Sequence, residues 1–184
     1  KRIAFASLAS SKIATFAHQI VTYHIETAKP NDRRYAEYRD NRLDAFRATL
    51  LSPAPVYPAM ESHALKAWFT EAIKQVGADD PFVRAAIGDA DVAEVVDRAF
   101  RETKLTDPAV RKALLQGPAD AIANSTDPMV TLARRVAPVI RELREWEDTN
   151  IKAVEAANGS MIAQARFAVY GKTMPPDANG HLRL

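Results

Sequence analysis

The chain holds four histidines, His18, His24, His63 and His181. Metal or proton-relay chemistry would want two imidazoles on one helical face, as in H-x-x-x-H or H-E-x-x-H, and neither spacing occurs. His18 and His24 stand six apart and face different ways on a helix. A lone helical histidine ordinarily packs or bonds locally, so the metal and cofactor assignment is none. Cysteine is absent, which removes thiolate nucleophiles, disulfides and Cys-zinc sites and leaves the redox compartment open. Serine catalysis needs a nucleophile on a strained turn, yet there is no G-x-S-x-G, and helical spacing places Ser10-Ser11 inside the first helix. No catalytic residue is assigned.

Charged and aromatic groupings read similarly. Glu142, Glu145, Glu147 and Asp148 could supply a carboxylate pair for glycoside hydrolysis. They are interleaved with Arg134, Arg135, Arg141 and Arg144, the pattern of a solvated helix face, and Asp148 precedes Lys152 by four in the favourable ion-pair direction. The glycines stand alone, without the Gly-rich loop that cradles phosphates. Arg33-Arg34-Tyr35 to Tyr38-Arg39 combines bases with rings that could stack on RNA, but Asp32, Glu37 and Asp40 cancel the charge. With 25 basic against 23 acidic residues, the net charge of +2 does not call for a nucleic-acid partner. Arg166 and Tyr170, four apart on one face, are either a helix-end packing contact or polar groups offered to a cleft. Substrate-binding residues stay unknown.

These residues must be positioned by helices, and the expected fold class is all-α. Phe5, Leu8, Ile13, Phe16 and Ile20 predict a first helix from Ile3 to about Ala28, stopped by Lys29-Pro30. Asn31-Asp32 is expected to cap a charged second helix running to about Leu51, with Tyr38, Leu43, Phe46 and Leu50 inward. "SPAPVYP" should be a stiff extended connector. Met60, Ala64, Leu65, Trp68, Phe69, Ala72, Ile73 and Val76 form the cleanest amphipathic stripe, with Gly77 at its left-handed end.

Asp80-Pro81, Asp107-Pro108 and Asp127-Pro128 share one grammar. Asp accepts from an orphan first-turn N–H, and Pro at the first helical position sacrifices no bond. Their unequal spacing argues against a solenoid. Short helices should end at Gly88 and Gly117, with another helix from Asp89 to about Lys104. The longest element starts near Asp127 and reaches Tyr170, turning Leu132, Val136, Val139, Leu143, Trp146, Ile151, Val154, Met161 and Ile162 to one side. Pro138 is expected to bend it and Asn158-Gly159 to weaken or interrupt it. No apolar run approaches the roughly 20 residues of a membrane span, so the expectation is a soluble domain. The start at Lys1, without a signal peptide, reads as a processing point or cut edge and says nothing about export.

Six segments, in this order, carry a resemblance: "PVYPAME" (Pro55 to Glu61), "GADDPFVRAAIG" (Gly77 to Gly88), "TKLTDPAVRKALL" (Thr103 to Leu115), "STDPMVTLARR" (Ser125 to Arg135), "IAQARFAVYG" (Ile162 to Gly171) and "PPDANGHLRL" (Pro175 to Leu184). Together they resemble the helical domain of peptidase family S46, the bacterial serine dipeptidyl peptidases, and residues 1 to 54 resemble it more weakly. His181 stands where that family usually has Thr, which puts strand-edge bonding there in doubt.

The resemblance implies a helical cap (1–171) inserted in a chymotrypsin-like β-barrel that carries the catalytic His, Asp and Ser, with residues 172–184 an extended connector back to the barrel. It implies a parent that releases dipeptides from peptide N-termini, in the periplasm or outside the cell, and a chain that covers the cleft without a triad of its own. The implied partners are the peptide substrate and the barrel domain of the same protein. An isolated cap would expose the surface that meets the barrel, so homodimer pairing is a further expectation. The family's amine-anchoring Asn finds no motif-based match among Asn31, Asn41, Asn124, Asn150 and Asn158. The competing reading is a free-standing helical interaction module.

Overall fold

The computed structural model describes residues 8–173, and every regular element among them is helical. The helices are α1 (Lys12–Thr27), α2 (Asp40–Leu50), α3 (Pro58–Val76), α4 (Pro81–Ala86), α5 (Val92–Glu102), α6 (Pro108–Gln116), α7 (Ala119–Ala123), α8 (Pro128–Glu147) and α9 (Ala153–Tyr170), with short 3-10 turns between some of them. Two compact units result, Lys1–Arg141 and Glu142–Leu184.

All three Asp-Pro passages start helices. Asp80 Oδ1 accepts from the amides of Phe82 at 2.9 Å and Val83 at 3.4 Å. Asp107 Oδ1 accepts from Ala109 at 2.7 Å, and Asp127 Oδ1 from Met129 at 2.9 Å. Proline fills the first helical position each time, where its missing N–H forfeits nothing. Asp127 also accepts from Thr103 Oγ1 at 3.0 Å and from the Lys104 amide at 2.9 Å, so one carboxylate starts α8 and ties down the end of α5. Asp91 caps α5 through the Glu94 amide at 3.0 Å, so that helix starts at Val92, three residues on from the expected Asp89.

The first helix differs from the expectation. Ser11 breaks it: its extended backbone (φ −135°, ψ 127°) makes it the N-cap of α1, with Oγ accepting from the Ala14 amide at 3.1 Å. Ile3 and Phe5 lie outside the described residues. The charged second helix is also shorter than expected. Asn31–Arg33 and Ala36–Tyr38 are 3-10 turns, and α2 begins only at Asp40. Arg39, not Asn31, is the N-cap of α2, and Asn31 Oδ1 accepts from the Asp40 amide nine residues on at 2.9 Å. A turn that curls back, rather than a straight helix, brings the two together.

The connector from Ser52 to Tyr57 is irregular and extended, as its prolines require. Leu65, Phe69 and Ala72 of α3 are buried with Ile13 and Ile20 of α1, Leu50, Phe82, Val96, Leu105, Met129 and Val136. Trp68, Phe69 and Phe82 stack edge and face at centroid separations between 5.5 and 6.3 Å. Met60 does not join them and is 65% exposed. The first turn of α3 turns Glu61 and Ser62 inward instead, because both have polar partners across the core. Gly77 has φ +88°, a region that any Cβ would strain. Gly117 ends α6 with an ordinary negative φ. Its requirement is space: a Cβ there would lie 2.9 Å from the Ala113 carbonyl oxygen.

In the second unit, helical structure continues from the end of α8 to Tyr170, and Asn158-Gly159 does not interrupt it. The helix also runs through Pro138 of the first unit. The irregularity falls at Asp148–Lys152, a π turn. There Asn150 Nδ2 donates to the Trp146 carbonyl at 2.9 Å, and Lys152 pairs with Asp148 at 2.7 Å. A side chain inserted at a carbonyl is one cause of such local unwinding. A glycine within a helix weakens it by about 1 kcal/mol without ending it. Gly171–Thr173 forms a 3-10 turn, and the rest of the expected connector, with His181, lies outside the described residues.

Candidate functional site

The three described histidines, His18, His24 and His63, are scattered. His24 Nε2 donates to the Leu114 carbonyl at 2.9 Å, which fastens α1 to α6. His18 Nε2 lies 3.4 Å from Thr22 Oγ1 within its own helix, and His63 stands on α3. Among the described residues no three His, Asp or Glu side chains converge as a metal cage would require. Arg33 and Arg34 sit at the two 3-10 turns, where Arg34 pairs with Asp40 at 2.7 Å and Lys29 lies over the Tyr35 ring. Arg134 donates to the Ser125 carbonyl at 3.0 Å and Arg135 to the Ala86 carbonyl at 2.9 Å. Both use their charge to fix loops at the start of α8 and the end of α4. Arg166 and Tyr170 are exposed on α9.

Three buried polar anchors were not anticipated from local sequence. The Glu61 carboxylate accepts from Ser11 Oγ at 2.9 Å and from the Ile13 amide at 3.1 Å. It completes the cap of α1 from fifty residues away. Ser11 therefore does structural work at a helix start rather than sitting inside a helix. Glu26, fully buried, accepts from the Tyr35 amide at 2.8 Å and pairs with Lys29. Arg111 is 1% exposed. It donates to the carbonyls of Leu105 at 2.8 Å, Thr106 at 3.2 Å and Ser52 at 2.7 Å, with its guanidinium 4.4 Å from the Phe16 ring centre. Desolvation lowers its pKa from the usual arginine value, while Asp107 nearby favours the charge. The bond to Ser52 is what holds the Pro-rich connector against α6.

A fourth polar cluster faces water. Asp97 of α5 accepts from Lys66 Nζ at 2.8 Å and Ser62 Oγ at 3.0 Å, both on α3. The Lys66 bond, then that of Ser62, holds its carboxyl below the usual range. Beside this seam lies a cleft of about 250 Å³ formed by α3, α5 and the start of α8. Leu65, Val96, Ala99 and Leu132 supply apolar lining. Arg98, Glu102, Thr126 and Arg135 supply its polar lining. Among the described residues, Arg98 and Glu102 make no hydrogen bond or ion pair, so both charges remain available to the cleft.

The sequence-family model for Peptidase S46 matches residues 1–184, the whole chain. The chain belongs to peptidase family S46. No curated protein matches it. Several of the anchors just described lie within the first four segments quoted above. Glu61 closes the first segment, Asp80 caps α4 in the second, Thr103, Asp107 and Arg111 lie in the third, and Asp127, Arg134 and Arg135 in the fourth. In this S46 chain the recognisable motifs thus build helix starts and loop anchors. The fifth segment ends α9, and the sixth lies outside the described residues.

Proposed function

We propose that this chain is the helical cap of an S46 serine dipeptidyl peptidase, covering the active-site cleft and helping to gate and orient peptide N-termini while a β-barrel of the same protein performs the hydrolysis. The observation that carries the reading is the family match over all 184 residues of a chain whose described part is helical throughout. The second unit supports it. Apart from Glu155 and Arg166, α9 is built of apolar, small or uncharged residues, yet none of its side chains is buried. A helix apolar on several sides is ordinarily covered by something else, and here the barrel of the parent is the proposed cover. The proposed location is the bacterial periplasm or the cell exterior.

In this reading the cap's contribution is exclusion and alignment. A rigid helical roof limits how much peptide fits on the unprimed side, and holding a substrate in one register converts binding energy into rate. The test is a peptide assay in two arms. The isolated chain should release no dipeptide from a peptide with a free N-terminus. The full-length parent should release dipeptides, and Ile162→Asp with Phe167→Asp in that parent should lower kcat/KM by weakening cap docking. Dipeptide release by the isolated chain, or an unchanged kcat/KM in the doubly substituted parent, would overturn the proposal.

A further inference from the structure

We propose that the cleft between α3, α5 and the start of α8 binds a free dipeptide. A dipeptide is a small zwitterion with one ammonium, one carboxylate and two side chains. The cleft offers a counterpart to each feature. Glu102 supplies an anion for the ammonium, and Arg98 and Arg135 supply guanidinium groups for the carboxylate. Thr126 adds a hydroxyl, and the wall of α3, α5 and α8 side chains is apolar.

Arg98 and Glu102 have no partners among the described residues, so a ligand need not break an existing ion pair to engage them. Arg135 is already oriented by its bond to the Ala86 carbonyl, and a guanidinium has further N–H groups to donate. The volume, about 250 Å³, lies below the usual range of drug-sized pockets and suits two short residues rather than a longer peptide. The choice of a dipeptide over other zwitterions rests on the proposed function, since dipeptides are the product that the parent would release. Occupancy would let product concentration act on the cap itself.

The experiment is an amide chemical-shift titration of the isotope-labelled chain with Val-Ala, N-acetyl-Val-Ala, Val-Ala amide and free valine. Val-Ala should give saturable shifts confined to residues 95–102 and 126–135, with weak, millimolar-range affinity. Each blocked form should bind about tenfold more weakly, the loss expected for one charge-assisted bond. Glu102→Gln should erase the penalty for acetylation, and Arg98→Gln should reduce the penalty for amidation. Neither residue bonds to the described fold, so both variants should keep the native spectrum. Non-saturable shifts, equal binding of blocked and free forms, or free valine binding as well as Val-Ala would each overturn the dipeptide site. The parent's hydrolysis is read separately, so loss of the cap reading and loss of this site give different results.

Discussion

Residues 8–141 and residues 142–173 are both helical, and they differ in what holds them. The first unit buries most of its large apolar side chains and reinforces them with a carboxylate and an arginine that have found partners at long sequence distance. In α9 of the second unit the large apolar residues Val154, Met161, Ile162, Phe167, Val169 and Tyr170 are all more than half exposed. The polar bonds described there include the local pairs Asn150 to Trp146 and Lys152 to Asp148. Helical structure alone is therefore a poor guide to stability in this chain. Most of the stability of a helix in water comes from the face it buries, and α9 shows a helix without that support.

The contrast is broken most forcefully at Phe69. Phe69→Ala empties a fully buried position and should destabilise the first unit by about 3–5 kcal/mol, read as a lowered urea midpoint at unchanged slope. An effect below about 1 kcal/mol would mean that this core is not the source of stability. Next comes Glu61→Ala, which leaves Ser11 Oγ and the Ile13 amide without their buried acceptor and should cost about 1–3 kcal/mol. Ser11→Ala in the Glu61→Ala background should then add less than it does alone, and a double-mutant cycle measures that coupling.

A smaller step is Asp107→Ala. It removes a helix cap and should cost about 1 kcal/mol in the same denaturation. The smallest effect is expected in the second unit. Phe167, 59% exposed, should tolerate Ala within about 0.5 kcal/mol in the isolated chain. A Phe167→Ala loss comparable to that of Phe69→Ala would erase the distinction between the two regions. A loss seen only in the parent protein would sharpen it, because α9 would then be stabilised by contacts made outside this chain.

What could be read from sequence follows the range of the interactions involved. Asp80, Asp107 and Asp127 cap amides two residues on, and Pro in the next position leaves little else for the backbone to do. The core of α3 was also legible at Leu65, Phe69 and Ala72, because a helical period repeats within a few turns. The same period misjudged Met60, since it counts apolar residues and cannot see that Glu61 and Ser62 have partners on other elements. Asn31 was expected to cap the second helix, but that helix starts at Asp40 with Arg39 as its N-cap, after two 3-10 turns that no periodic pattern announces. The π turn at Asp148–Lys152 was equally hidden, and the more obvious breaker, Asn158-Gly159, left the helix intact.

The sequence alone determined that this protein would be helical, where its three Asp-Pro helices begin, and which peptidase family it resembles, because caps, prolines and ordered motifs act over a few residues. Only the tertiary structure decided that Glu26, Glu61 and Arg111 would be buried against polar partners, and that Arg98 and Glu102 would line a cleft with their charges unspent. The physical reason is desolvation. A charge can leave water only where partners converge on it, and for Glu61 and Arg111 those partners include Ser11 and Ser52, fifty and fifty-nine residues away.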